Sequence, residues 1–357
     1  MSDATPATTD ASSPLVELRD IGKRFAAGVD FATRIADAFR SRKPPRAVHA
    51  VDGVDLAIVP REVVGLVGES GFGKSTLGRI VAGLLPQSDG TRLWRGSPLA
   101  PDDRGARARE ARLAIQMIFQ DPYASLNPRM RVADLIAEAP VVHGLWPQRE
   151  RTERAAALLA RVGLDAAALG RYPHQFSGGQ RARIGIARAL AVDPQLLVCD
   201  EAVAALDVST QAQVLNLFMD LRQETATALG LTYLFISHDL GVVRHLSDRV
   251  LIMYLGRVVE SAPTATLFAA PNHPYTEALL AETPSLAVRK RRFVAIRGEL
   301  PSPLAPPSGC HFHPRCPRRQ DVPDDRCRRE RPPLQAVGVA HRSACHLNDV
   351  PGVERPG

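Results

Sequence analysis

The chain predicts an α/β fold in which parallel strands alternate with helices, followed by a small irregular Cys-containing C-terminal module. Three observations predict it. Residues 63–67 (Val-Val-Gly-Leu-Val), 196–199 and 233–236 are short, continuous apolar runs, the pattern of strands covered on both faces. The first of these runs straight into a glycine-rich turn and then a helix-compatible stretch at 77–85. Past Ser261 proline becomes frequent and cysteine appears, which places a change of architecture near residues 262–267.

The elements follow in order. Residues 1–14 carry acid but no Lys or Arg and no apolar core, so they read as a disordered tail and not as a secretory signal. Residues 15–25 alternate apolar and polar positions and predict a strand. Residues 26–50, with Lys-Pro-Pro-Arg near their end, suggest an inserted loop with a short helix around 31–39. A strand resumes at 54–58. Residues 104–191 are mostly helical in composition, and 151–162 repeat Ala, Leu and Val at helix spacing, which sets a helical subdomain at about 121–190. Residues 249–254 and 257–260 around Gly256 predict a terminal hairpin. The expected division is a tail at 1–14, a main domain at 15–262 and a smaller module at 263–357 that needs a staple to hold together.

Bulk properties narrow the function classes. A chain of 357 residues, 45% hydrophobic and 23% charged, can bury one large core plus an appendage. No eighteen-residue stretch is both apolar and free of charge, so no bilayer span is expected. The expectation is a cytoplasmic protein that serves a membrane, if at all, from its surface. The net charge is +7, with local clusters at Arg42, Lys43 and Arg46 and at residues 289–292. Such clusters attract anionic lipid or nucleic acid, or they form a solvated Arg-rich surface. The second reading is preferred, and the lack of interleaved aromatics argues against a nucleic-acid surface.

The turn is Gly68-Glu69-Ser70-Gly71-Phe72-Gly73-Lys74-Ser75-Thr76, a phosphate loop between strand and helix. Its glycines let successive N–H groups curl toward phosphate oxygens, and the helix start adds its positive end. Lys74 reaches the β- and γ-phosphates as a point charge, and Ser75 offers its hydroxyl to Mg²⁺. Alone, the pattern arises by chance in roughly one chain of this length in a hundred. Its companions matter more. Asp200 and Glu201 end an apolar strand, where one can hold Mg²⁺ and the other can take a proton from an attacking water. Gln120 at a strand end can ligate Mg²⁺ and orient water, and His238 after residues 233–237 can bond a γ-phosphate. Ser177-Gly178-Gly179-Gln180 opens a basic helix and forms an anion-binding turn.

In order, Gly68–Thr76, Gln120, Ser177–Gln180, Asp200, Asp207 and His238 resemble the ATP-binding subunits of ABC transporters, over about residues 15–260. The resemblance implies an ATPase whose signature turn (Ser177–Gln180) does not serve its own phosphate loop. Two such domains pair head to tail, and each ATP is sandwiched between the phosphate loop of one and the signature of the other. Phe25 then stands where an aromatic stacks on adenine. Residues 119–129 (Phe-Gln-Asp-Pro-Tyr-Ala-Ser-Leu-Asn-Pro-Arg), 171–181, 273–276 (His-Pro-Tyr-Thr) and 298–310 narrow the likeness to the oligopeptide/dipeptide importers, and to the second of their two paired, non-identical ATPases. That implies as partners a related ATPase, two membrane-spanning permeases and an external solute-binding protein, with the chain peripheral on the cytoplasmic face of the plasma (inner) membrane. A soluble ABC ATPase of DNA repair, chromosome structure or translation is the competing class. The single cassette and the lack of a heptad run speak against it.

The chain departs from the family at Phe72, Ala182, Ala202 and Ala205. Phe72 replaces a small residue and is expected to alter phosphate packing or nucleotide affinity. Cys310, Cys316, Cys327 and Cys345 lie in the Pro- and Arg-rich tail. Some members of the branch hold an iron–sulfur cluster at a similar tail, so the resemblance implies a [4Fe–4S] cluster, with Zn²⁺ as the alternative and unligated thiols as the third reading.

Overall fold

A computed structural model describes residues 13–26, 47–121, 123–223, 230–282 and 298–351. The expected helix at 31–39, both basic clusters and most of the N-terminal tail lie outside these residues.

Two sheets form the frame. Strands β1 (Val16–Ala26), β2 (Ala47–Ile58), β4 (Asp89–Trp94) and β5 (Ser97–Pro98) make an antiparallel sheet in the order β2-β1-β4-β5. The second sheet holds the parallel strands β3 (Val63–Val67), β6 (Ile115–Ile118), β7 (Leu196–Asp200), β8 (Thr232–Ser237) and β9 (Arg249–Tyr254). Antiparallel strands β10 (Arg257–Pro263), β11 (Gln335–Gly338) and β12 (His341–Ser343) complete it, in the order β11-β12-β10-β9-β3-β8-β7-β6.

β3, β7 and β8 are buried along their whole length, which explains their unbroken apolar runs. Helix α1 (Lys74–Val81) packs on β7 and β8 through Leu77 and Ile80. α2 (Ala106–Ala114) leads into β6. Three helices then form a layer of their own: α3 (Val132–Val142), α4 (Arg151–Arg161) and α5 (Gly178–Leu190). They lie inside the span expected for a helical subdomain. Their apolar stripes (Leu135, Ile136, Leu158, Leu159, Ile184) merge with β7, β8 and α6 (Val208–Gln223) in one core. Among the described residues no helix is long and apolar enough to cross a membrane.

The tail is where expectation and structure differ. The hairpin at 249–260 does not end the sheet, because β12 pairs with β10 and covers what would be its edge. β10 runs through Pro263, so the expected boundary at 262–263 falls inside a strand. The tail is stapled by a buried carboxylate. Glu260, fully buried, accepts hydrogen bonds from the backbone N–H groups of Asn272 (2.7 Å) and His273 (2.9 Å) and lies 2.7 Å from Nε2 of His341. Burial alone would raise its pKa, but bonds from His341, Thr276, His273 and Asn272 hold it below the usual value. Helix α7 (Leu240–Leu246) joins β8 to β9, α8 (Thr264–Ala269) and α9 (Pro274–Glu282) follow β10, and the one-turn α10 (Arg326–Arg329) precedes β11.

Candidate functional site

A cleft of about 360 Å³ opens at the C-terminal end of β3. Phe25, Val48, Ala50, Ser70, Gly71, Gly73, Lys74, Ser75, Thr76, Gln120 and Glu201 line it. Two glycines explain how the loop reaches this shape. Gly73 sits at φ 94°, and a Cβ there would lie 1.8 Å from the carbonyl oxygen of Ala50. A Cβ on Gly68 would lie 2.2 Å from the carbonyl oxygen of Met253. Only glycine lets the loop pass this close to β2 and β9.

Lys74 is buried and donates from Nζ to the carbonyl oxygens of Gly68 (2.7 Å) and Glu69 (2.9 Å). Burial lowers its pKa, while the carboxylates of Glu201, Asp200 and Glu69 pull it back up. The Ser75 hydroxyl donates to Oδ1 of Asp200 (2.7 Å). Burial raises the Asp200 pKa, and the Ser75 bond opposes it. Glu201 follows at φ 47°, in the left-handed region that a side chain adopts only under constraint. That twist turns its carboxylate toward two residues from other strand ends. Nε2 of Gln120 donates to Oε2 of Glu201 (2.8 Å), and Nδ1 of His238 lies 3.5 Å from Oε1. β6, β7 and β8 are adjacent and parallel, so Gln120, Glu201 and His238 meet at one end of the sheet despite their sequence separation. Phe25 pairs with Val48 across β1 and β2, with Nζ of Lys23 5.1 Å from its ring centre, and the ring forms one wall.

The structure does not bring the other expected residues into this cleft. None of Ser177, Gly178, Gly179, Gln180 or Asp207 lines it. Ser177 caps α5 instead. Its Oγ accepts from the backbone N–H of Gln180 (3.3 Å), and the Gln180 side-chain oxygen accepts from the N–H of Ser177 (3.0 Å). A Cβ on Gly179 would lie 2.1 Å from Cγ2 of Thr210, so the signature packs tightly on the start of α6. Asp207 holds that start through Thr210 and Ser209, bonds that lower its pKa to about 2.

Phe72 also stays out of the cleft, contrary to the expectation that its ring would disturb phosphate packing. It is 1% exposed and packs edge-on against Tyr254, ring centres 4.7 Å apart, with Tyr275 at 6.4 Å. Tyr254, Tyr275 and Phe312 complete the cluster. Two residues beyond position 262 touch the loop through polar groups. The hydroxyl oxygen of Tyr275 accepts from the backbone N–H of Glu69 (3.1 Å), and Nη1 of Arg315 donates to the Glu69 carboxylate (3.0 and 3.3 Å). Sequence reasoning missed Tyr254, Tyr275 and Arg315, and also the lining residues Val48 and Ala50. Tyr275 lies in a run noted at 273–276, but it is 206 positions from Glu69, and only sheet order brings the two together.

The four tail cysteines and Cys199 are free thiols. Burial is the first cause of the raised thiol pKa at Cys310 (to about 11), Cys316 and Cys345 (both to about 12) and Cys327. The charge of Cys345 is disfavoured in turn by Cys310, Cys316 and Cys327, so the four share one neighbourhood. Among the described residues, however, no three His, Cys, Asp or Glu side chains gather as a metal site would require. The expected iron–sulfur cluster or Zn²⁺ therefore finds no assembled ligand set here.

A phosphate loop, a buried acid at the end of a second parallel strand of the same sheet and a carboxylate held by glutamine and histidine define a P-loop ATPase. Its separate Ser-Gly-Gly-Gln turn marks the ABC class. Residues 51–204 match the family described as ABC transporter, and residues 259–322 match the C-terminal region of oligopeptide/dipeptide transporters. The chain is 46% identical over 338 residues to the oligopeptide transport ATP-binding protein AppF of Bacillus subtilis, covering 93% of this chain and 97% of that protein. It is 46% identical over 310 residues to OppF of Salmonella typhimurium, covering 85% and 89%. Among solved structures it resembles cbiO1 of Clostridium perfringens, part of the ABC transporter complex cbiONQ (TM-score 0.57, 26% identity, 72% and 92% covered). It also resembles the ATP-binding cassette MJ0796 in a dimeric post-hydrolysis state with ADP and Pi (TM-score 0.58, 26% identity, 70% and 98% covered). The chain belongs to the ABC transporter ATP-binding subunits, in the oligopeptide/dipeptide branch, and is an ATPase.

Proposed function

We propose that this chain binds and hydrolyses ATP to drive import of oligopeptides or dipeptides. In this reading it pairs head to tail with a second, related ATPase and sits peripherally under two permeases on the cytoplasmic face of the plasma membrane. An external solute-binding protein delivers the peptide. The single observation that carries the reading is the split of the ATP machinery. Lys74, Glu201 and Gln120 line one cleft, with His238 3.5 Å from the Glu201 carboxylate, while the signature Ser177–Gln180 does not line it.

The geometry supports the following roles. Lys74 neutralises the β- and γ-phosphates, and the N–H groups of residues 68–76 cradle them. Phe25 offers its face to adenine. Glu201 accepts the proton of the attacking water, and its two neighbours fix the direction of its carboxylate. Ser75, Asp200 and Gln120 fit Mg²⁺, which takes oxygen ligands and few carboxylates. Asp200 is buried with a raised pKa and a hydroxyl beside it, a carboxylate that a cation would relieve. When bound, Mg²⁺ would supply charge neutralisation at the phosphates. His238 meets the γ-phosphate, and closure of the pair brings the partner's signature over the nucleotide.

Capture of the tagged chain from detergent-solubilised membranes, followed by reconstitution in vesicles, tests the assembly. The expected result is co-purification of a second ATPase and two permeases, with ATP hydrolysis stimulated by peptide-loaded binding protein. Recovery of the chain without membrane proteins, or hydrolysis indifferent to peptide, would overturn it.

The shared neighbourhood of the four tail thiols supports a second reading, an iron–sulfur or zinc staple on Cys310, Cys316, Cys327 and Cys345. It requires the side chains to draw closer than they stand. Anaerobic purification followed by iron, sulfide and zinc analysis tests it, and colourless protein free of both metals rejects it.

A further inference from the structure

Glu69, the second residue of the phosphate loop, is gripped from three directions. Its carbonyl accepts from Lys74 (2.9 Å), its amide donates to Tyr275 (3.1 Å) and its carboxylate takes the guanidinium of Arg315 (3.0 and 3.3 Å). The last two partners belong to the tail, 206 and 246 positions downstream. Arg315 is itself held in place. Its side chain is 8% exposed, Nη1 also points at the hydroxyl of Tyr254 (3.5 Å), and its backbone N–H closes a turn onto Phe312 (2.9 Å). Phe312 packs on Tyr275 and Tyr254, and both tyrosines meet the Phe72 ring. The tail thus grips the loop three times, by an ion pair and a hydrogen bond at Glu69 and by an aromatic cluster under Phe72.

We propose that Arg315 is a positioning residue of the ATP site: through Glu69 it fixes the phosphate loop in its binding shape, so that the tail is a working part of the nucleotide site. The inference rests on the ATP-site reading above. Arg315 does not line the cleft and acts only through Glu69. A partly buried, charge-assisted pair resists the shift that Glu69 would otherwise make when its carbonyl gives up Lys74 to a phosphate. Glu69 keeps two tail contacts at that moment, and Lys74 is released from a loop that does not move with it. Holding the loop ready lowers the ordering that binding would have to supply. The same logic gives Phe72 a role. A small residue there would leave the tail's aromatic cluster without its loop-side ring.

The test is binding of magnesium and a non-hydrolysable ATP analogue, AMP-PNP, to the full chain, with thermal melting to verify folding. R315A is expected to weaken AMP-PNP binding about tenfold, and R315K to recover most of the loss. E69A/R315A should bind no more weakly than E69A alone, because the two residues act as one unit. In the assembled transporter, R315A should raise KM for ATP and leave kcat nearly unchanged, a split that general destabilisation would not produce. If R315A does not fold, R315K and the single E69A variant decide. Wild-type AMP-PNP affinity in folded R315A, or in E69A, would overturn the proposal, as would additive losses in the double variant. K74A separates this failure from failure of the ATP-site reading. If K74A keeps wild-type affinity, the phosphate-loop reading falls. If K74A loses binding while R315A keeps it, only the positioning role falls.

Discussion

The chain contains two glycine-rich turns that open helices, and they are built to opposite designs. The phosphate loop at 68–76 is enclosed. Lys74 is buried, Ser75 meets Asp200, and the tail holds Glu69 and Phe72 from behind. The signature at 177–180 is self-contained. Ser177 and Gln180 satisfy each other, and α6 supports the turn through the contact of Gly179 with Thr210. No carboxylate strand end faces it in the cleft described above. A turn with its own metal-binding acid and base can complete chemistry on a nucleotide. A turn with only capped N–H groups and a helix end can do no more than receive charge supplied by another molecule. The difference between the two turns is the physical ground for reading the chain as half of a pair.

The strongest way to break that comparison is at the base. Glu201→Gln keeps the hydrogen bond from Gln120 possible but removes the proton acceptor, so phosphate release by the assembled transporter should fall by about 10²–10⁴-fold with AMP-PNP binding retained. Wild-type turnover would remove Glu201 from the mechanism. The signature gives the next effect. Gly179→Ala forces a Cβ against Thr210, so hydrolysis in the assembly should drop on the order of 10-fold to 100-fold. Nucleotide affinity of the isolated chain should not change. Loss of affinity in the isolated chain would mean that the signature serves its own cleft, and the two-design argument would fail.

Legibility followed the same divide. The parallel strands and the parts of the ATP site could be read from sequence, because each motif marks a strand end or a helix start and burial on both faces leaves uninterrupted apolar runs. β4 and β5 gave no clear signal: β4 has three exposed residues before three buried ones, and β5 is two residues long. The tail was misjudged for a different reason. β11 and β12 are four and three residues long, and they are strands only because β12 finds β10 as a partner and β11 finds β12. Phe72 was read as a change in phosphate packing or nucleotide affinity because its destination, against Tyr254 and Tyr275, is assembled from segments far apart in sequence. A departure from a family pattern says that space must exist for it, and only the fold says where.

Phe72→Ala sharpens the enclosed side of the comparison. The ring is 1% exposed and makes a close edge contact with Tyr254. Truncation leaves a cavity between loop and tail, and it should destabilise the folded chain by about 3–5 kcal/mol in denaturant titration. A loss under about 1 kcal/mol would show that tail and loop are packed more loosely than these contacts imply.

Acid gives the smallest effect and the most local one. His273 and His311 both lie in the tail, and burial lowers each pKa from 6.5 to about 4. His273 is neutral, with Nδ1 accepting the backbone N–H of Tyr275 (3.1 Å), and His311 donates from Nδ1 to the carbonyl of Leu255 (3.0 Å). In the unfolded chain each takes a proton near pH 6.5, whereas the folded chain resists until about pH 4. The unfolded state therefore binds more protons across that window. Stability is fully present above pH 6.5, falls as pH drops toward 4, and loses on the order of 3 kcal/mol per histidine once pH is well below 4. Glu260, whose pKa is held below its usual 4.5, adds a further loss at the acid end as it protonates. Tm measured from pH 7.5 to 4.5 should decline accordingly. His273→Asn and His311→Asn keep an amide oxygen or N–H near the lost ring nitrogen but cannot titrate, so the double variant should flatten the decline. AMP-PNP affinity should fall over the same window in the wild-type chain, because Tyr275, which meets both Glu69 and Phe72, is bonded to His273 and packs on Phe312, the neighbour of His311. A decline in Tm with no change in affinity would mean that the tail can loosen without the phosphate loop noticing, and the enclosed design would reduce to simple packing.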